Sequence, residues 1–131
     1  MWISSTARLA IHAVLRISEA EEHRLVSVEE VAAAIGCPRN YLSKTLYALA
    51  QAGILRSERG RGGGFQLAGR ADRLTLARII EPFEPAAERR CLLGRPMCGD
   101  ADPCPAHERW KLVAERTKAF FQTTTIAQLQ R

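Results

Sequence analysis

Apolar residues recur at three- and four-residue spacing in the first part of the chain, which is the period of an α-helix. The first helix is expected within residues 5–20, on the apolar face formed by Leu9, Ala10, Ala13, Val14 and Ile17. A second helix is expected to begin at Ser27, because Ser27 can cap the amide of Glu30 while the Glu30 side chain bonds back. It is expected to end at Gly36, since glycine tolerates the left-handed conformation that ends many helices.

Pro38 introduces a third helix, which is expected to end at Gly53. Its apolar stripe consists of Leu42, Leu46, Leu49 and Ala50. The connection to the preceding helix is only Gly36-Cys37-Pro38, a short glycine-containing turn typical of a helix-turn-helix.

The next segment, ILRSERGRGGGFQLA, predicts a basic β-hairpin. Apolar pairs flank a glycine-rich turn, and Arg56, Arg59 and Arg61 lie around it. A hairpin directly after a helix-turn-helix is the winged-helix arrangement. GRGGG also resembles a nucleotide-binding loop, but such a loop precedes a helix whose N-terminus faces the phosphates, whereas a strand is predicted here.

The rest of the chain predicts a short helix near residues 74–81, ended by Pro82 and Pro85, and a last helix over residues 106–123. Trp110, Val113, Thr117 and Phe120 share one face of that last helix. The expected fold is therefore mainly α with a small β-hairpin, a winged helix-turn-helix followed by a long C-terminal helix. The predicted divisions are a winged helix-turn-helix domain at 1–82, a cysteine-containing loop at 83–105, and a long C-terminal helix with its tail at 106–131.

Composition narrows the class of partner only slightly. The formal net charge of +5 suits a polyanion such as DNA, although many basic proteins bind no nucleic acid. No apolar stretch is long enough to span a bilayer, and no cleavage site follows the first helix, so we expect a cytoplasmic protein without a membrane partner. Nothing in the pattern indicates an enzyme.

The third helix and the hairpin form the candidate contact surface for double-stranded DNA, although a generic three-helix core with a hairpin is an alternative interpretation. The first turns of that helix carry polar side chains that can donate to bases and phosphates, and the wing adds two arginines on a glycine-rich tip. The candidate DNA-binding residues are Arg39, Asn40, Tyr41, Ser43, Lys44, Arg59 and Arg61.

Three of the four cysteines lie in the polar loop CLLGRPMCGDADPCPAH, at Cys91, Cys98 and Cys104, and His107 follows. Zinc sites usually contain a tight C-x2-4-C pair, which this loop lacks. Wider gaps between single thiolates favour an iron–sulfur cluster, with His107 completing four ligands. Zinc and metal-free redox thiols stay open as alternatives. Cys37 is expected to pack, His12 and His23 to lie at the surface, and Asp100 and Asp102 to be solvated turn residues.

Together these motifs resemble the IscR/NsrR/RirA family of bacterial iron–sulfur transcription regulators over essentially the whole chain. The resemblance rests on the ARLAI first helix, NYLSKTLYALAQAGIL, the wing RGRGGGFQLA, the three-cysteine loop with its histidine, and the tail TTTIAQL. It implies a homodimer that binds a pseudo-palindromic operator through a DNA-binding domain at 1–82. It also implies a cluster-binding loop at 83–105, which lies near the partner's DNA-binding domain, and antiparallel dimerisation helices within the segment 106–131.

The resemblance also implies the cluster ligands Cys91, Cys98, Cys104 and His107. The Cys-x5-Cys-x2-His half matches IscR, while the first gap has six residues instead of the usual five. The IscR-like ligand set of three cysteines and a histidine implies a [2Fe-2S] cluster, and the longer first gap leaves [4Fe-4S] open. Some NsrR-like proteins take a ligand from an acidic residue of the partner's first helix, but Arg8 stands at that position here.

The function expected from the resemblance is a repressor that senses redox state, iron–sulfur supply or nitric oxide. The alternatives are a zinc-bound or metal-free thiol repressor and a small electron-transfer or cluster-carrier protein. An electron carrier has no use for the basic wing. Ser43 and Lys44 stand where IscR-type proteins carry an acidic or glutamine side chain, so the operator sequence does not transfer.

Overall fold

The computed structural model describes residues 3–84 and 90–131, and the expected helix-ending role of Pro85 lies outside the described residues. The described part contains α1 (Ser5–Ser18), α2 (Val28–Ile35), α3 (Arg39–Gln51), β1 (Leu55–Glu58), β2 (Gly64–Leu67), a 3-10 turn (Ala71–Arg73), α4 (Leu76–Ile80), α5 (His107–Thr123) and α6 (Ile126–Leu129). The mainly helical fold with a small antiparallel hairpin is confirmed. No described helix has the length and apolar character needed to cross a membrane.

The core lies where α1, α2 and α3 meet the base of the hairpin. Leu42, Leu46 and Leu49 of the apolar stripe of α3 are inaccessible to solvent, and Ala50 is half-buried. Helix α1 packs against α3, and its Ala10 and Ala13 allow the two helices to approach closely. The core members contributed by these two helices are Ala10, Ala13, Val14, Ile17, Leu42, Leu46 and Leu49. Packing of these faces fixes the orientation of α3, whose opposite side stays in solvent.

The start of α2 differs in one detail from the sequence prediction. Ser27 caps the helix, because its hydroxyl accepts a hydrogen bond from the Glu30 amide at 3.2 Å. The Glu30 carboxylate does not bond back to Ser27, since it accepts from the Arg24 guanidinium at 2.7 Å instead. The expected reciprocal capping box was therefore wrong in its second half. The end of α2 is as expected, with Gly36 in the left-handed conformation at φ 68°.

The hairpin pairs β1 with β2 from Leu55 opposite Leu67 to Glu58 opposite Gly64. Two glycines are required by the close approach of other backbone atoms, one in the turn and one at the start of β2. A Cβ on Gly63 would lie 2.2 Å from the Glu58 carbonyl oxygen, and one on Gly64 would lie 2.5 Å from the Val26 carbonyl oxygen. Glycine at these two positions therefore allows the turn to close tightly on β1 and allows β2 to lie against Val26, in the segment before α2.

The end of the chain returns to the N-terminal core, which the sequence pattern did not predict. Thr124 accepts a hydrogen bond from the Leu76 amide at 2.9 Å, and the Ile126 amide donates to the Leu74 carbonyl at 2.9 Å. Ile126 is fully buried, and Thr125 and Gln128 form a capping box that starts α6. The last residues of the chain are thus part of the core that also supports α3.

The short helix α4 lies between the N-terminal core and the long helix α5. It is shorter than the predicted 74–81, because Thr75 caps it and Glu81 lies at its C-cap, followed by Pro82. Its Ile79 is fully buried in the core, and the helix contacts both α1 and α5.

Candidate metal centre and nucleic-acid interface

The cysteine loop begins with a turn around Cys91. The Gly94 amide donates to the Cys91 carbonyl at 3.1 Å, and Gly94 adopts φ 78° in that turn. The backbone N–H of Arg95, and then that of Leu93, lower the pKa of the Cys91 thiol by donating to its sulfur. Amide donors aimed at a sulfur stabilise a thiolate, whether it is free or bound to a metal.

The loop brings the four candidate ligands together as two pairs. The sulfur of Cys91 lies 3.7 Å from the sulfur of Cys104, and the sulfur of Cys98 lies 3.6 Å from Nδ1 of His107. Cys104 and His107 are buried, while Cys91 and Cys98 are half-buried. His107 is the first residue of α5, and its amide donates to the Cys104 carbonyl at 3.0 Å. The four cysteines form no disulfide.

Each pair has the spacing of two donors on one tetrahedral metal. With metal–sulfur bonds of about 2.3 Å, two sulfurs on one metal lie about 3.8 Å apart. With a metal–nitrogen bond of about 2.1 Å, a sulfur and an imidazole nitrogen lie about 3.6 Å apart. Among the described residues, the group of three or more candidate donors within 4.8 Å of one another is Asp100, His107 and Glu108. No three atoms of the cysteine–histidine set meet that distance, so they form two edges and not one tetrahedron.

The second ring nitrogen of His107 is also occupied. Nε2 lies 2.8 Å from Oδ1 of Asp100, and Nζ of Lys111 lies 3.2 Å from the same oxygen. These two hydrogen bonds, that of His107 first, lower the pKa of Asp100, so its carboxylate is ionised at neutral pH. Asp100 is therefore more than the solvated turn residue expected from the sequence.

Further contacts fix the two ends of the loop. The Trp110 indole N–H donates to the Arg90 carbonyl at 2.6 Å, which ties the start of the loop to α5. Arg95 donates to the Asp102 carbonyl at 3.3 Å. Polar contacts within the loop and with α5 therefore hold the loop against the start of α5.

The N-terminal half of α3 presents the expected polar side chains to solvent, with some of them already engaged. Arg39 donates to the Glu29 carboxylate at 2.6 Å, and the Tyr41 hydroxyl lies 3.3 Å from the hydroxyl of Thr6. Asn40 and Lys44 are exposed. Ser43 is half-buried, so less of it is available to DNA.

The wing is adjacent to α3. The ring of Tyr47 on α3 makes an edge contact with Phe65 of β2, at a centroid distance of 5.9 Å. Arg59 and Arg61 are exposed in the turn, and within residues 3–84 and 90–131 neither forms an ion pair or a side-chain hydrogen bond. A strand follows the glycines, as expected, so they do not form a helix-based phosphate loop.

Two side chains at the candidate metal centre, Asp100 and Lys111, were not predicted from the sequence to contribute to it. Asp100 stands seven residues before His107, and no spacing rule links the two positions. The available signal was chemical, because a ligating histidine usually donates its other N–H to a carboxylate or carbonyl. Of the remaining expectations, Cys37 packs against the core, and His12 and His23 are exposed.

Comparisons with known proteins agree with this architecture. A family model named Rrf2 and described as an iron-dependent transcriptional regulator matches residues 3–131. A putative HTH-type transcriptional regulator of Aquifex aeolicus is 37% identical over 132 residues, covering 98% of this chain and 91% of the relative. The regulator IscR of Serratia proteamaculans is 26% identical over 129 residues, covering 98% of this chain and 79% of the relative.

Solved structures give the same fold at lower identity. CymR of B. subtilis, described as a global cysteine regulator, superposes with a TM-score of 0.83 at 24% identity, covering 98% of this chain and 95% of that chain. IscR of T. potens superposes with a TM-score of 0.77 at 20% identity, covering 98% and 85%.

Proposed function

The chain belongs to the Rrf2 family of transcriptional regulators, and from that membership we propose that it is a homodimeric repressor that senses through a [2Fe-2S] cluster. Family membership makes it a DNA-binding regulator and not an enzyme. The proposed signal is redox state, iron–sulfur supply or nitric oxide. The proposed ligands are Cys91, Cys98, Cys104 and His107.

The observation that carries the cluster proposal is the pairing of the four donors. A [2Fe-2S] cluster has two irons, each with two protein ligands, so its ligands form two donor pairs. The Cys91–Cys104 and Cys98–His107 pairs match that number and spacing. A [4Fe-4S] cluster takes one donor per iron and needs no such pairs, whereas a single zinc needs all its donors within one tetrahedron. The arrangement therefore favours the dinuclear cluster despite the longer first gap.

When bound, the cluster supplies a group that changes charge on reduction and is lost on oxidative damage. The chain's own residues connect that site to α3. His107 begins α5, α5 contacts α4, and the segment after α5 bonds to Leu76 and buries Ile126 in the core. A shift of the loop that moves the first turn of α5 is thereby transmitted to the helix bundle that orients α3.

The proposed dimer uses the exposed face of α5. Leu112 is 59% exposed, Val113 44% and Phe120 51%, which is unusual for apolar side chains of one helix. Antiparallel packing of two such helices removes these side chains from water and places two α3 helices for adjacent major grooves, about one helical turn apart. The corresponding DNA is a pseudo-palindromic operator contacted by Asn40 and Lys44 of each α3.

The DNA-binding part is tested on anaerobically purified protein with a random duplex library of roughly 30 base pairs, long enough for two half-sites one turn apart. We expect selection of a pseudo-palindromic sequence whose binding weakens steeply with salt. Replacing Arg59 and Arg61 with alanine removes four cations per dimer, and at about 0.9 per phosphate contact the salt slope should fall by about 2 to 4. Arg73→Ala combined with Lys118→Ala removes the same number of cations from exposed positions outside α3 and the wing, and is the charge-matched control. An unchanged slope in the wing variant contradicts the proposed interface.

The sensing part is tested by comparing cluster-loaded and cluster-free protein on the selected duplex. We expect at least a tenfold difference in affinity between the two forms. Cys98→Ser protein, purified in the same way, should behave as the cluster-free form. Equal affinities in all three preparations would contradict cluster sensing while leaving DNA binding intact.

A second candidate function is a thiol switch in the metal-free chain, favoured by the short Cys91–Cys104 distance and the lowered pKa of Cys91. Two thiols and one hydrogen peroxide would yield a disulfide and two waters. Mass spectrometry of the peroxide-treated, iron-free protein would detect this disulfide. A dithiol form that binds the duplex and a disulfide form that releases it, without any iron, would favour this function over the cluster.

A further inference from the structure

The hydrogen bond between Asp100 and His107 determines which ring nitrogen of His107 is available to bind a metal. Oδ1 of Asp100 lies 2.8 Å from Nε2 of His107, on the side of the ring opposite Nδ1. A carboxylate oxygen accepts hydrogen bonds, so at this distance Nε2 is the N–H donor of the contact. A neutral imidazole protonated at Nε2 has its free lone pair on Nδ1.

The free lone pair lies on the cysteine side of the ring. Nδ1 of His107 is 3.6 Å from the sulfur of Cys98, the spacing of a sulfur and a nitrogen on one tetrahedral iron. The ring is almost fully buried, at 1% exposure, so rotation that exchanges its two nitrogens would require the surrounding loop to open. The orientation of the ring is thus set by packing and by its bond to Asp100.

Lys111 holds the Asp100 carboxylate beside the imidazole ring. Its Nζ lies 3.2 and 3.3 Å from the two carboxylate oxygens, and it projects from α5 one turn after His107. The carboxylate is otherwise largely exposed, and without the lysine it would be free to leave the ring for water. The ion pair between Asp100 and Lys111 therefore joins the loop to the first turns of α5.

We propose that Asp100 is a positioning residue that holds His107 in the tautomer protonated at Nε2, so that Nδ1 is the atom that binds iron. This rests on the proposed cluster and extends it, because the ligand set alone does not say which nitrogen binds or what orients it. A carboxylate that accepts from a ligating histidine fixes the ring and raises its basicity, and loss of such a partner typically weakens metal binding by about 10- to 100-fold.

The test uses full-length protein made with histidine labelled with ¹⁵N at Nδ1 only, or at Nε2 only. The reduced, cluster-loaded protein is examined by pulsed electron paramagnetic resonance. A strong ¹⁵N hyperfine coupling is expected from the Nδ1 label and a weak, remote one from the Nε2 label. The reverse result overturns the assignment of the ligand atom. The other two histidines, His12 and His23, are exposed and outside the loop, and His12→Gln with His23→Gln should leave the spectrum unchanged.

The role of Asp100 is tested by Asp100→Ala, with Asp102→Ala as the matched control in the same loop. Asp102 is exposed and contacts Arg95 instead of His107. Asp100→Ala should lose its cluster to a chelator at least tenfold faster than Asp102→Ala, and Asp100→Asn, which keeps an acceptor oxygen, should recover part of the difference. Equal rates for the two alanine variants overturn the positioning role.

Spectra of the metal-free protein distinguish failure of this inference from failure of the cluster proposal. Long-range ¹H–¹⁵N spectra should show His107 protonated at Nε2 in the unsubstituted chain and a tautomer mixture in Asp100→Ala. If the purified protein contains no iron under any condition, both the cluster proposal and the Nδ1–iron bond are overturned. The Asp100 hydrogen bond is then judged by the tautomer spectra, and a mixture already present in the unsubstituted chain overturns it.

Discussion

Ile126 anchors the segment after α5 in the core cluster that also contains the buried face of α3. Its replacement by alanine tests whether α6 and the helix-turn-helix form one cooperative structure. The side chain has 0% exposure. Ile126→Ala removes about three methylene-sized groups, worth about 0.8 kcal/mol each in transfer free energy. A residual cavity adds to this loss, so the free energy of unfolding should fall by about 3 to 4 kcal/mol.

Urea unfolding of iron-free, reduced protein at one fixed concentration measures this change, because both cluster loss and dimer dissociation would otherwise contribute. In thermal unfolding the same change corresponds to a drop of roughly 10 °C. Leu129→Ala is the control in the same short helix, since Leu129 is 36% exposed and should cost about 1 kcal/mol. A loss below about 1 kcal/mol for Ile126→Ala, or equal losses for both variants, would refute the idea that α6 is part of the core.

Two further predictions concern the DNA-binding surface. Gly63→Ala places a Cβ 2.2 Å from the Glu58 carbonyl oxygen, so it should weaken both folding stability and DNA binding. The control Gly69→Ala meets no atom within 4 Å and should leave both unchanged. DNA-binding assays and urea unfolding compare the two variants. The Arg39 hydrogen bond lowers the pKa of Glu29, so the contribution of this pair to stability is present above the unfolded pKa and is lost as the pH falls through the folded pKa. A ¹³C titration should give a lower midpoint for Glu29 in the unsubstituted chain than in Arg39→Ala, and equal midpoints would contradict the contact.

The winged helix was predictable because local signals agree with one another. The helical period, the cap at Ser27, the left-handed glycine at Gly36 and the glycine-rich hairpin each specify their own segment. The part of the local prediction that failed was the second bond of the capping box. Glu30 had two partners within reach, and a charged guanidinium competes well with a neutral amide.

The return of the C-terminal tail was not predictable from periodicity. The helix α6 spans only Ile126–Leu129, too short to show a helical repeat, and its position depends on hydrogen bonds to Leu74 and Leu76. Such bonds form between segments far apart in sequence, so they follow from tertiary packing. The predicted domain boundaries at residues 82 and 105 remain predictions. The segment after α5 contacts residues on the N-terminal side of the first boundary, through its hydrogen bonds to Leu74 and Leu76.

The candidate metal centre likewise has a part that was predictable from the sequence and a part that depends on tertiary structure. Cysteine and histidine spacing predicts the candidate ligands, but it does not determine how their donor atoms pair. The pairing of Cys91 with Cys104, and of Cys98 with His107, depends on how the loop folds back on α5. Asp100 is recognisable only after that fold is known, because its partner is seven residues away in the sequence.

The central claim is that the paired donors hold a dinuclear iron–sulfur cluster. The most direct test is iron and acid-labile sulfide analysis of anaerobically purified protein, together with electron paramagnetic resonance after reduction. The account predicts equal amounts of iron and sulfide, about two of each per chain, and a spin-½ signal from the reduced protein. A colourless chain with about one zinc, or a chain with about four irons, would contradict it.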